Sequence, residues 1–185
     1  MAHPTMSRRI AGVEGLLELL DAGRLSHDGE PVDLLTHGLQ CAALLERSHP
    51  DDLGLQVAGL VHDIGTLLAP GRPDVHAVVG ADALRPVLGD RVAGLVEGHD
   101  RAKRYLVTVD AHYRERLSRR SRETLRAQGG LMDPRERAAF LDRRDAEMLI
   151  ALRRADDAAK QPGARVPGLD HWTLALFAVA ASAPA

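Results

Sequence analysis

With 185 residues, 24 Lys and Arg against 26 Asp and Glu, and a formal charge of −2, the chain lacks the global basic field that would draw it onto nucleic acid. Hydrophobic residues make up 45% of it but aromatic ones only 3%, so one core must be filled by Leu, Val and Ala. The single cysteine, Cys41, excludes an intrachain disulfide and points to a reducing cytoplasm; the N-terminus has no apolar signal segment, and the longest apolar run, 174–183, is too short to span a bilayer.

The periodicity predicts a helix over 7–22, with Ile10, Val13, Leu16, Leu17 and Leu20 at helical spacing and Gly23 at its end. A polar loop, 24–31, follows, and Asp33 caps a helix over 34–48 on which Leu34, His37, Cys41 and Leu44 share a face. Asp51 or Asp52 caps the next, 53–65, where Leu55, Ala58, Gly59 and His62 align. After a Gly- and Pro-rich loop, 69–73, Asp74 caps a helix over 75–85 carrying His76, and Asp90 opens a helical stretch to about 113 with Leu95, His99, Lys103 and Leu106 in register. Ser118 or Ser121 begins a helix ended by Gly129-Gly130, Asp133-Pro134 opens a short one to about 141, and 143–160 carries Ile150, Arg153, Arg154 and Asp157. A final apolar helix over 169–182 packs on the domain or on a partner. No strand-like alternation, repeat or linker is present, so the chain reads as all-α and one domain over 1–185.

His62-Asp63 stands at the apolar end of its helix, where an unpaired imidazole and carboxylate would be costly to bury. His37, His76, His99 and Asp157 each lie on the inward face of a separate helix. Any one of these histidines alone would be an ordinary core side chain; the adjacent His-Asp among the others is what points to metal. Four imidazoles and two carboxylates suit two first-row transition ions bridged by a carboxylate, about 3.5–4 Å apart, and the lack of thiolates argues against structural zinc. His3, His49, His112 and His171 lack this setting and read as surface or packing residues. Lys103, four residues after His99, and Arg154, three before Asp157, place two cations one helical turn from ligands, which suits a dianionic substrate.

The H…HD…H…H…D order looks like an HD domain, and three stretches narrow the likeness: Thr36-His37-Gly-Leu-Gln40-Cys-Ala, His99-Asp-Arg-Ala-Lys103-Arg104-Tyr105-Leu106, and Leu152-Arg153-Arg154-Ala-Asp156-Asp157-Ala-Ala-Lys160. Together with the block 117–130, they resemble the small HD-domain mixed-valent diiron oxygenases of organophosphonate catabolism, whose type member acts on 2-amino-1-hydroxyethylphosphonate. The match runs from about 14 to 162. The resemblance implies a helical bundle with a buried dinuclear site, one iron held by His37, His62, Asp63 and Asp157 and the other by Asp63, His76 and His99. It also implies O2-dependent cleavage of the C–P bond of a small 1-hydroxyphosphonate to a carboxylate and phosphate, by a monomer or homodimer. Lys103, Ser121 and Arg154 fall where that family binds the phosphonate, and Glu30 where it has an acid beside the substrate amine. His27 stands where the family carries a Tyr that can occupy an iron site, and Thr66 where it has a His; both differences bear on the substrate's carbon end. The competing enzymatic reading is a metal-dependent HD phosphohydrolase acting on a phosphate ester or nucleotide; a regulatory module with a degenerate site fits less well, because the ligand set is intact.

Overall fold

The computed structural model describes residues 10–183, and its elements over that span are all helical. The expected helical residues 7–9, and His3, lie outside the described residues. In chain order the helices are α1 (Gly12–Ala22), α2 (Leu34–Ser48), α3 (Leu53–Val61), α4 (Ile64–Leu68), α5 (His76–Val109), α6 (Ala111–Arg116), α7 (Arg119–Ala127), α8 (Pro134–Leu141), α9 (Ala146–Ala158) and α10 (Leu169–Ser182). Side-chain caps set several starts, each satisfying an N–H that has no partner inside the helix. Asp33 accepts from the Thr36 amide, Asp52 from Leu55, Asp110 from Tyr113 and Ser118 from Ser121; Asp133 and Glu136 form a reciprocal box around Pro134.

Besides a later start for α1 and tighter ends for α9, three boundaries differ from the sequence reading. The helix expected over 53–65 breaks at His62-Asp63 into α3 and α4. The two expected over 75–85 and 90–113 join through a kink at Gly89, whose φ of +80° suits glycine. That joined helix then stops at Val109, where Asp110 starts α6.

Leu35, Leu45, Leu55, Leu84, Leu95, Leu149 and Leu152 are fully buried, and with α1 and α10 they form one continuous apolar cluster. Trp172, Leu176 and Val179 bring α10 onto that same core, against α1, α3 and α5. The pairs that carry the site approach closely at glycines. A Cβ on Gly38 of α2 would strike the Leu60 carbonyl of α3, and one on Gly65 of α4 would strike the His76 carbonyl at the start of α5. Both contacts are backbone to backbone, so no flexible side chain can yield. Gly65→Ala is therefore expected to cost about 1–3 kcal/mol of stability by overpacking. Gly94→Ala, whose Cβ would meet nothing within 4 Å, should leave the melting temperature unchanged or raised. Thermal unfolding of the two variants checks this.

Candidate metal centre

Within a continuous helix, neighbouring side chains diverge by about 100°, and His62 and Asp63 could not serve one site. The break resolves this. Asp63 leaves helical geometry at φ −98°, ψ 10°, and α4 restarts beyond it, so both side chains reach the same interior space. His37 enters from α2, His76 from the first residue of α5, His99 from farther along that helix, and Asp156 from α9.

Each imidazole is oriented by a backbone carbonyl. The Nδ1–H groups donate to Ala159 (2.9 Å, His37), Gly59 (2.9 Å, His62), Pro73 (3.0 Å, His76) and Val96 (2.6 Å, His99). A carbonyl can only accept, which leaves Nε2 as the lone-pair nitrogen of each ring in its neutral form. These nitrogens meet in two pairs, His37 with His62 and His76 with His99, each at 3.2 Å. Asp63 lies between the pairs. Its Oδ2 is 3.5 Å from both His37 and His62, and its Oδ1 is 3.5 Å from His76 and 3.7 Å from His99. Asp156 Oδ1 adds a second carboxylate to the first pair, 3.3 Å from His37 and 3.9 Å from His62.

Facing lone pairs at that separation repel unless a cation sits among them, and a carboxylate with one oxygen toward each pair is placed to bridge two. The donor set fits two metal ions: the atoms of His37, His62 and Asp63 lie within 4.8 Å of one another, as do those of Asp63, His76 and His99. The charges agree. Burial pushes Asp63 up, but the imidazoles of His62, His76 and His37 outweigh it and hold the carboxyl well below its usual range. Burial lowers His76, yet Asp63 and Asp100 overcome this and raise it to about 9; His99, more enclosed, is pushed down to about 4. Asp100 is a further neighbour, its Oδ1 buried without a hydrogen-bond donor and 3.5 Å from His99 Nε2.

The expected pair Arg154 and Asp157 does not reach this centre as read; the register on α9 is one residue earlier. Asp156, 4% exposed, faces the imidazoles, and Arg153, 3% exposed, lies behind it, whereas Arg154 is exposed. Leu149 and Leu152 define the buried face of α9, and the positions four on from them are 153 and 156. Asp157 turns instead to Tyr113 and Arg153. Arg153 Nη1 donates to Asp156 at 2.5 Å, and its other nitrogens reach Asp157, the Tyr113 hydroxyl and Ser121 Oγ.

Beside the centre opens a cavity of about 60 Å³. Lys103, Ser121, Glu30 and Thr66 all line it, as the sequence suggested. Lys103 is buried and donates to Thr124 Oγ1 at 2.9 Å; burial, and then Arg153, lower its pKa to about 8. Ser121 Oγ accepts from Arg153 at 3.2 Å and from Lys160 at 3.4 Å. His27 is the other expected residue placed elsewhere. It is exposed and borders an outer surface depression with Arg119 and Glu123, while Asp28, next in the chain, lines the cavity and pairs with Arg120. The sequence reading also missed Asp100, Thr124, Arg120 and Lys160 as lining residues. Lys160 carried a signal, since it lies one turn after Asp156 on the inward face of the α9 end.

Comparison with known proteins agrees with this architecture. Residues 34–146 match the model of the HD domain. A hydroxymethylphosphonate dioxygenase of Gimesia maris is 38% identical over 170 residues, covering 86% of this chain and 84% of its own. A [1-hydroxy-2-(trimethylamino)ethyl]phosphonate dioxygenase (glycine-betaine-forming) of Leisingera caerulea is 32% identical over 187 residues, covering 95% and 93%.

The α9 register is tested by paired variants. Arg153→Ala, which strands Asp156 and Asp157, should cost about 3–5 kcal/mol of stability. Arg154→Ala should stay within about 0.5 kcal/mol. In metal analysis, Asp156→Ala should lower the ions held per chain while Arg154→Ala leaves them unchanged.

Proposed function

The chain belongs to the HD-domain family, and on that premise we propose that it is a dinuclear iron oxygenase that uses O2 to cleave the C–P bond of a small 1-hydroxyphosphonate, giving a carboxylate and inorganic phosphate. The observation that carries this reading is the Asp63 carboxylate with one oxygen toward each imidazole pair, beside a cavity lined by Lys103, Ser121 and Arg153. Its relatives named as dioxygenases of hydroxyphosphonates, similar over most of the chain, support the reaction class. The first ion would be held by His37, His62, Asp63 and Asp156, the second by Asp63, His76 and His99, and the mixed-valent state is part of the proposal. When bound, the pair supplies the O2 and C–H chemistry, with one ion for substrate oxygens and one for O2.

The chain's own groups supply position and charge. Lys103 has ammonium N–H groups free beyond the one given to Thr124, and they can reach a phosphonate oxygen. Ser121, already accepting from two cations, has its hydroxyl proton free for another. Arg153 acts chiefly through Asp156, neutralising that carboxylate and fixing its rotamer. The balance closes on one O2: a hydroxymethylphosphonate dianion and O2 give formate, hydrogen phosphate and a proton, with no external reductant. An unactivated C–P bond has no good leaving group, so oxidation at carbon is the better route than hydrolysis. We read the chain as one domain, and place it in the cytoplasm on the strength of its one buried, unpaired cysteine; among the described residues, no helix is long and apolar enough to cross a membrane.

Iron-loaded protein should release phosphate from a 1-hydroxyphosphonate only with O2, one O2 consumed per phosphate. Equal release without O2, or release from phosphate esters alone, would mean the hydrolase reading is correct. In the same assay KM should rise as pH passes about 8, because the charged Lys103 that holds the dianion is present below that value and lost above it. Lys103→Arg should flatten that limb, since guanidinium stays charged.

A further inference from the structure

Five carboxylates border the cavity, Asp28, Glu30, Asp63, Asp100 and Asp156, and the charges set against them decide what the carbon end of a substrate meets. Asp28 is held by Arg120 through two hydrogen bonds of 3.0 and 2.6 Å. Asp156 is held by Arg153 at 2.5 Å, with Lys160 at 3.6 Å. Asp63 faces four imidazoles. The inner oxygen of Asp100 is shut away from solvent, 3.5 Å from His99 and 3.7 Å from the Lys103 ammonium. The remaining acid is Glu30, whose Oε1 accepts from Lys160 Nζ at 2.9 Å and from Ser118 Oγ at 2.7 Å. That pair is largely enclosed, the two side chains 11% and 15% exposed. Burial acts to discharge Lys160, but Asp156 and Glu30 outweigh it and raise its pKa.

A cation arriving at Glu30 would therefore find the carboxylate already neutralised. It would also stand beside an ammonium, and a like charge close by in a poorly solvated site is a repulsive element against that ligand. Space argues the same way. A cavity of about 60 Å³ has room for only a few water molecules, and a quaternary ammonium arm would nearly double the heavy atoms of hydroxymethylphosphonate.

We propose that Lys160 is a specificity-determining residue: as the internal counter-cation of Glu30 it fills the place of a cationic substituent and directs the site to 1-hydroxyphosphonates whose carbon end is small and uncharged. The inference rests on the phosphonate reading above, and it reassigns Glu30 from selecting an amine to anchoring Lys160.

The test separates this inference from that reading by measuring binding without turnover. Ethylphosphonate and 2-aminoethylphosphonate lack the 1-hydroxyl and differ in one ammonium; their affinities are measured by calorimetry on the metal-loaded protein under anaerobic conditions. Wild type should bind ethylphosphonate at least as tightly as the amine. In Lys160→Met the ratio should move toward 2-aminoethylphosphonate by about tenfold, and Glu30→Gln added to it should abolish the gain. A wild type that prefers the amine, an unchanged ratio in Lys160→Met, or a gain that survives Glu30→Gln in the double variant would overturn the inference. In turnover, hydroxymethylphosphonate should exceed 2-amino-1-hydroxyethylphosphonate in kcat/KM. Activity on neither, with the binding ratios as expected, would count against the oxygenase reading alone.

Discussion

Two pairs of imidazole lone pairs turned toward one carboxylate form the constraint to which the other helices answer. Left without a cation, each 3.2 Å pair is repulsive, and the backbone carbonyl on each Nδ1 keeps the rings from turning away. The repulsion is stored in the fold because close packing holds it there. Gly38 lets α2 lie on α3, and Gly65 lets α4 lie on α5, so the four rings converge from three separate chain segments. A cation relieves what the packing imposes, so metal binding and stability should be tightly linked.

Charge is then graded outward from that centre. Asp63 serves both pairs, Asp156 serves the first, and Arg153 behind it hydrogen-bonds both Asp156 and Asp157. Farther out, Lys103 hydrogen-bonds Thr124 with the Asp100 carboxylate 3.7 Å away, while Lys160 and Arg120 are hydrogen-bonded to Glu30 and Asp28. On the proposed reading a dianion is received by the Lys103 ammonium, a hydroxyl and the metal positions, while Lys160, Arg120 and Arg153 are hydrogen-bonded to carboxylates. The proposed affinity for phosphonate and the proposed discrimination against a cationic substituent both rest on one distribution of ion pairs.

Much of this was legible in the chain because its signals are local. Asp33, Asp52 and Asp133 each fix a helix start through a hydrogen bond three residues on, and the apolar periodicity of α2, α3 and α5 turned His37, His62 and His99 inward. What failed was ambiguous by one position. In Arg153-Arg154-Ala-Asp156-Asp157 both arginines and both aspartates are doubled, so spacing alone fits two registers, and only the burial of Leu149 and Leu152 chooses between them. The break at His62-Asp63 was hidden because neither residue, nor the Leu60-Val61 before them, is a Gly or Pro. The Glu30–Lys160 pair joins residues 130 positions apart, a relation no helical period carries. His27 was aligned by its distance from His37, but a loop does not preserve facing as a helix does, and Asp28 lines the cavity in its place.

The bridging role of Asp63 is tested most directly by a crystal structure of iron-loaded protein grown without O2, with anomalous scattering recorded at the iron edge. Two iron peaks are expected, one on each side of the Asp63 carboxylate, the first bounded by His37, His62 and Asp156 and the second by His76 and His99. A single peak, or a first ion held by Asp157 with Asp156 turned away, would contradict it.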